Sequence, residues 1–374
     1  MKARNTLIIF ICFLVVVFTC NRLDIDQTKT QPTSTLIGEK NCLTIGAIYF
    51  GYIQDNGFNQ SMHDGLMDVR KNIPCVSTIE AENAPDGQTA KRIIQVLIAD
   101  GAKVVFTNSY GHIEPGLELI KTYPDVIFEH SGAFGMSDHY GTFYAKTTEA
   151  FYIMGIAAGK MTRTNQLGFI AGTTYNYTIS NINAFELGAQ SVNPQAQTMI
   201  QLTDQWVDKE KEIAAANSLI DQGADVVTTD ISSPVNVLQT AEQRGVYTLG
   251  FQSATAQQLA PRGFITGFGF NWGKTMTEIT QNVISGNWKP AMIRGNLREG
   301  FMSITSFGPL VPEEVKQFVL KSIDDLVAGR LVVFEGPIFD QNGVMRINPG
   351  DLIADTDIGA VNWFVKGIFK YPEQ

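Results

Sequence analysis

The sequence predicts an α/β protein built as two doubly wound parallel-sheet lobes joined by a three-segment hinge. Three observations predict it. From residue 43 onward, short β-rich runs alternate with segments of helical periodicity, and near-continuous apolar strands between helices require parallel sheets covered on both faces. "LIADGAKVVFTNS" (97–109) and "LIDQGADVVTTDI" (219–231) align without gaps at an offset of 122 residues, so one supersecondary unit is present twice. The length of 374 residues, 44% of them hydrophobic, suffices for two domains with cores of their own.

The N-terminus belongs to neither lobe. Lys2 and Arg4 precede the apolar run Leu7–Phe18, which is too short to cross a bilayer comfortably but suits the core of a signal peptide. Cys20 closes that run as the cysteine of a bacterial lipoprotein signal does, with Phe18-Thr19 in place of the usual small pair. The expectation is a signal peptide over 1–20 and a mature chain acylated at Cys20 with palmitate or a similar lipid; plain secretion and a retained helix are the alternatives. Residues 21–41 are polar and aperiodic, as a tether is. Once the signal is removed and Cys20 acylated, Cys42 and Cys75 remain, each opening a predicted strand. If those strands are parallel neighbours, the two thiols are close enough to bridge, and an exported protein permits it. The alternative is two buried free thiols.

The first lobe opens with a strand over 43–50, followed by a helix from about 59 to 72 whose Phe58, Met62, Leu66, Val69 and Ile73 recur at steps of three or four. Strands over 75–81, 103–108, 125–130 and 141–146 then alternate with helices near 87–100 and 113–122. A helix near 148–162 leads into the second lobe. There, strands over 167–173, 197–203, 225–230, 246–252 and 263–270 alternate with helices near 181–192, 208–222 and 234–244. Gly101 and Gly223 each end a helix and turn it into a buried strand at matching places of the duplication. "NCLTIGAIYF" and "NQLGFIAGTT" open the two units in register. Crossings between lobes are expected near 145–148, 265–271 and 300–306. The domains are therefore 42–146 with 268–303, and 147–267 with 304–374.

Net charge −9 argues against nucleic acid, which needs a basic face to displace counterions. None of the four histidines shows metal-ligand spacing, no G-x-S-x-G elbow is present, and "GFGFNWGKT" has Phe268 where a phosphate loop needs its first glycine. The expectation is a binding protein with no metal, cofactor or catalytic residue, rather than an enzyme.

In doubly wound sheets ligands bind beyond the carboxyl ends of strands, and two facing lobes make a cleft there. Those ends carry aromatics, amides and acids: Asp55, Phe58, Asn59, Glu82, Ser109, Tyr110, His130 and Phe134 in the first lobe; Tyr175, Trp206, Asp230 and Gln252 in the second; Asn271 and Trp272 at a crossing. Such a set suits a flat ligand stacked on rings and fixed at its rim by polar groups. Each has a plainer reading. Asn59 can cap the first helix, Trp206 can anchor a loop or staple a helix start, and Asp230 can cap the turn into the helix after Pro234. Tyr175 can simply be exposed, and His130 can be a satisfied polar residue beneath the cleft.

"NGFNQSMHDGL" (56–66), "YPDVIFEHSG" (123–132), "EAFYIMGIAAGKMT" (149–162), "NINAFELGAQSVNP" (181–194), "FNWGKTM" (270–276) and "FEGPIFDQNG" (334–343) together resemble the basic membrane lipoprotein family. The resemblance spans about residues 43–369. It implies the type I periplasmic binding fold and a substrate-binding protein of an ABC importer, monomeric and lipid-anchored outside the cytoplasm. Such a protein would hand a purine nucleoside or base to a membrane permease. It also implies that Asp55–Asn59 supply first-lobe contacts, with Phe58 stacking, and that Glu82 and Tyr110 lie at contact positions. The departure is at "LGFQSAT" (249–255), where Gln252 stands in place of the aspartate of many nucleoside-binding members. A carboxylate suits a vicinal diol better than an amide does, so the departure points to a free base. A sugar-binding protein or a ligand-sensing lipoprotein of the same fold is the alternative.

Overall fold

The computed structural model describes residues 42–132, 136–353 and 358–370. The expectations for the signal peptide, Cys20, the tether and Phe134 lie outside the described residues. In the first lobe, β1 (Leu43–Ile48), β2 (Val76–Ala81), β3 (Val104–Thr107), β4 (Ile127–Ser131) and β5 (Tyr140–Ala145) form a parallel sheet in the order 2-1-3-4-5, extended at its far edge by β11 (Met292–Gly295). In the second, β6 (Gln166–Ala171), β7 (Gln197–Leu202), β8 (Val226–Asp230), β9 (Tyr247–Gln252) and β10 (Phe264–Phe270) repeat that order. Counting from each lobe's first strand, both sheets read 2-1-3-4-5, so the duplication seen in the sequence is a duplication of topology. Gly101 and Gly223 take nearly the same left-handed backbone, φ 104° and 101°, at its equivalent helix ends.

Helices cover both faces. α1 (Phe58–Asn72), α2 (Gln88–Ala99) and α3 (Ile113–Ile120) serve the first sheet. α4 (Thr148–Met161), α5 (Asn176–Val192), α6 (Lys209–Asp221) and α7 (Val235–Arg244) serve the second. α5 begins at Asn176, five residues ahead of the periodic pattern, because Thr178 and Ser180 are buried and Ser180 Oγ donates to the carbonyl of Ile358 (2.7 Å). α8 (Trp272–Ile284) packs against α1, and α9 (Glu313–Val327) against α4.

The second crossing differs from the expected boundary at 268, because β10 stays in the second sheet through Phe270, pairing there with β12 (Met302–Ile304). β12 runs antiparallel to β10, and β13 (Ile338–Phe339) with β14 (Met345–Ile347) is an antiparallel pair, so the wholly parallel expectation holds only for the ten principal strands, β11 and β15 (Ile368–Lys370). These late strands are two or three residues long, too short to carry a periodic signal. The chain thus passes between sheets after Ala145, after Phe270 and between Gly295 and Met302.

Parallel pairing of β1 with β2 places Cys42 and Cys75 side by side, with Cα atoms 5.4 Å apart, and they form a disulfide. Among the described residues no helix is long and apolar enough to cross a membrane.

Candidate functional site

The carboxyl ends of the two sheets face one another, and the turn after β1 is where they meet. Asp55 organises that turn. Its Oδ1 accepts from the backbone N–H of Gly57 (2.8 Å) and Gln60 (3.0 Å), and its Oδ2 from the N–H (3.2 Å) and Nδ2 (2.7 Å) of Asn59. Burial raises its pKa against those hydrogen bonds, which lower it. Asn59, 1% exposed, passes the network inward: its Oδ1 accepts from Gly51 N (3.3 Å) and Asn108 Nδ2 (2.9 Å), while Asn108 Oδ1 accepts from Phe50 N (3.2 Å). Both residues expected as ligand contacts therefore spend their polar atoms on the turn, and Asp55 does the capping assigned to Asn59.

The turn then reaches across the cleft. Phe58 N donates to the carbonyl of Ser232 (3.0 Å), Ser233 Oγ to the carbonyl of Asp55 (2.6 Å), and Thr255 Oγ1 to Asn56 Oδ1 (3.0 Å). Ser232 and Ser233 follow Asp230 at the end of β8, and Thr255 follows Gln252 at the end of β9. The predicted contacts of the first strand end and of β8 and β9 are thereby brought together.

Phe58 is half-buried, with its ring edge-on to Phe270 (5.7 Å between centroids) and Trp272 (6.4 Å). On the second lobe, Trp206 lies parallel to Tyr177 (6.1 Å, 9°) and near-parallel to Tyr175 (6.3 Å, 26°), and its carbonyl accepts from Ser232 N (3.1 Å). Asp230 is buried at the end of β8, where Asn181 Nδ2 donates to its Oδ2 (2.9 Å). Desolvation lifts its pKa to about 6, the Asn181 hydrogen bond opposing the rise. Asn181 is itself oriented by Thr147 Oγ1, which donates to its Oδ1 (2.8 Å) at the first crossing. Gln252 is 7% exposed, has a left-handed backbone (φ 79°) and buries an Oε1 that no group among the described residues satisfies. An orphaned acceptor on a strained strand end is what a ligand site leaves for its ligand. The hydroxyl of Thr173, between β6 and α5, is buried and finds no partner among the described residues either.

Other expected contacts stand elsewhere. Trp272, 2% exposed, is an interior residue: its Nε1 donates to Ser61 Oγ (3.1 Å) and its ring packs on Phe143 and Phe270. A tryptophan at a crossing reads as cleft-lining in sequence, but α8 begins at Trp272 and turns it onto α1. Asn271 is exposed and ties the crossing together by donating to the Gly300 carbonyl (3.1 Å). Tyr110 is 74% exposed, and Ser109 Oγ is taken up by Asp86 (2.6 Å). Glu82 is exposed and accepts from Ile53 N (2.9 Å), bracing the segment before the turn. His130 is buried beneath the strand ends against Thr107 Oγ1 (2.8 Å), with burial lowering its pKa to about 3. Sequence reasoning missed Asn108, Asn181, Phe270, Tyr177 and the Ser232-Ser233 pair. A strand-end position could have flagged Asn108, Phe270 and Ser232-Ser233, whereas Tyr177 and Asn181 lie on α5 and carried no such signal.

The model of the family described as PnrA-like ABC transporter substrate-binding proteins matches residues 42–328. A purine-binding protein of Brucella abortus is 31% identical over 327 residues, covering 87% of this chain and 93% of that one. A Haloferax volcanii protein, provisionally named as a glucose-binding protein of an ABC transporter, is 26% identical and covered over 74% of its length, 78% of this chain. Among solved structures, an ABC transporter solute-binding protein from Conexibacter woesei superposes with a TM-score of 0.66 at 20% identity, over 78% of this chain and 98% of that one. That last likeness shows the two-lobed fold.

Proposed function

The chain belongs to the PnrA-like family of ABC transporter substrate-binding proteins, and on that premise we propose that it captures a purine between its lobes for a membrane permease. Substrate-binding proteins of this kind work outside the cytoplasm and are not enzymes, so the task is capture and release. The observation that carries the purine reading is the make-up of the cleft. One lobe brings Phe58, and the other brings the Trp206–Tyr177 ring pair with the buried acceptors of Asp230 and Gln252. A flat heteroaromatic ring offers faces to the aromatics and N–H edges to the acceptors. The purine-binding relative supports the same reading.

Within the purines we favour the free base. Gln252 offers an amide where a ribose diol would call for a carboxylate, and its free Oε1 suits a ring or exocyclic N–H. Closure follows population shift: a ligand touching both walls favours the arrangement in which the 55–59 turn meets Ser232 and Thr255. Cys20, acylated, would hold the monomer at the membrane through the 21–41 tether.

Thermal-shift and calorimetric titration with adenine, guanine, guanosine and glucose test the reading. Saturable binding of a base, tighter than that of its nucleoside, is expected. A response to glucose with none to any purine overturns it in favour of a sugar. For the anchor, Cys20→Ala should move the protein from the membrane fraction to the soluble one; unchanged partition refutes acylation at that residue.

A further inference from the structure

We propose that the turn 55–57 is a ligand-independent closure latch, and that Gly57, Ser233 and Thr255 set the affinity for every solute by acting on the closed state alone. The inference rests on the reading of this chain as a two-lobed solute-binding protein, and it concerns lobe against lobe rather than lobe against ligand.

Among the described residues, three hydrogen bonds pass directly between the lobes at this turn: Phe58 N to Ser232 O (3.0 Å), Ser233 Oγ to Asp55 O (2.6 Å) and Thr255 Oγ1 to Asn56 Oδ1 (3.0 Å). Two of them end on backbone carbonyls, whose positions no side-chain rotation can adjust. The turn is held rigid for this purpose. Asp55 spends both carboxylate oxygens on its own turn, Asn56 adopts a left-handed backbone (φ 50°), and Asn56 N donates to Gln60 Oε1 (3.1 Å). Preorganisation of this kind costs nothing further when the lobes meet.

Gly57 explains why the meeting is so close. A Cβ at this position would lie 2.1 Å from Ser232 O and 2.9 Å from Ser233 Cα. Its φ of −139° lies outside the left-handed region, and the approach of the other lobe leaves no room for a Cβ here. The atoms it would strike belong to the second lobe, so the clash exists only when the lobes are together. A residue that acts on one of two states shifts the apparent affinity of every ligand of that state by one common factor.

The test uses the full chain with Ser233→Ala, Thr255→Val and Gly57→Ala, two probes (adenine and guanosine), and amide exchange at Phe58 with no solute added. Ser233→Ala and Thr255→Val should each weaken both probes by the same factor, about 3- to 10-fold for one lost hydrogen bond, leaving their rank order unchanged. Gly57→Ala should weaken both at least as much, with melting temperature held near that of the wild type and faster exchange of the Phe58 amide. Unchanged dissociation constants overturn the latch. So does a loss confined to one probe, which would make these residues ligand contacts. Should neither probe bind the wild-type chain, the purine reading fails, and the exchange arm still decides. Faster exchange at Phe58 in Ser233→Ala and Thr255→Val supports the latch, and equal exchange in all chains refutes it.

Discussion

At the scale of single residues, the site divides into groups that touch one another and groups that remain unspent. Acids and amides at a strand end often meet ligands, yet Asp55 spends its oxygens within the turn and Asn59 spends its amide on Asp55, Gly51 and Asn108. Gln252 is the reverse, a neutral side chain whose buried oxygen has no partner among the described residues. Two predictions belong here. Phe58→Ala should weaken purine binding by about 1–3 kcal/mol if the ring stacks, and an unchanged dissociation constant by calorimetry returns Phe58 to packing on Phe270. Gln252→Asp should improve guanosine relative to guanine by supplying a carboxylate to the ribose diol; a ratio that stays the same or moves towards the base counts against Gln252 facing the sugar position.

At the scale of elements, buried carboxyls make the two lobes sensitive to pH in the same sense. Glu129 on β4 accepts from Trp288 Nε1 (2.7 Å) and is buried with its other oxygen unsatisfied; desolvation raises its pKa to about 8. Glu186 on α5 is raised to about 8 by desolvation too, while Thr198 and Gln190 hydrogen-bond it. A carboxyl raised in the folded state binds its proton more tightly there than in the unfolded chain. Its contribution is therefore complete below the unfolded value of about 4.5 and is lost as pH rises to about 8. Glu129→Gln should flatten that fall, leaving the melting temperature at pH 5 nearly unchanged and raising it at pH 9 by roughly 2–4 °C per kcal/mol relieved. Parallel wild-type and variant melting curves across this range would show that Glu129 does not titrate there. The Cys42–Cys75 bridge closes a 33-residue separation between β1 and β2, and its removal by paired serines should cost roughly 2–4 kcal/mol in denaturant unfolding.

At the scale of the whole molecule, three crossings and one latch describe how two equivalent sheets become a device that opens and shuts. Scattering should register this: a ligand that binds should reduce the radius of gyration of the wild-type chain and leave that of Gly57→Ala larger at saturation. Equal radii for the two liganded chains would mean that closure does not bring Gly57 onto Ser232. The sequence by itself determined the architecture. Strand–helix alternation and the 122-residue echo call for two parallel sheets of one repeated unit, and the structure shows that unit's order, 2-1-3-4-5, in both lobes with an antiparallel β12 added to the second. It also pointed to the Cys42–Cys75 bridge, because both cysteines begin strands that turn out to be neighbours. Periodicity fails where elements shrink to two or three residues, as in β12 to β15. What only the tertiary structure decided is which strand-end side chains are spent and which are left over. That depends on atoms far apart in the chain: Asn108 takes up Asn59, Asn181 holds Asp230, and Ser61 claims the indole of Trp272. Hydrophobic patterning reports which face of an element is buried. It carries no information on which partner a polar atom meets there, and partners are what separate a scaffold residue from one that waits for a ligand.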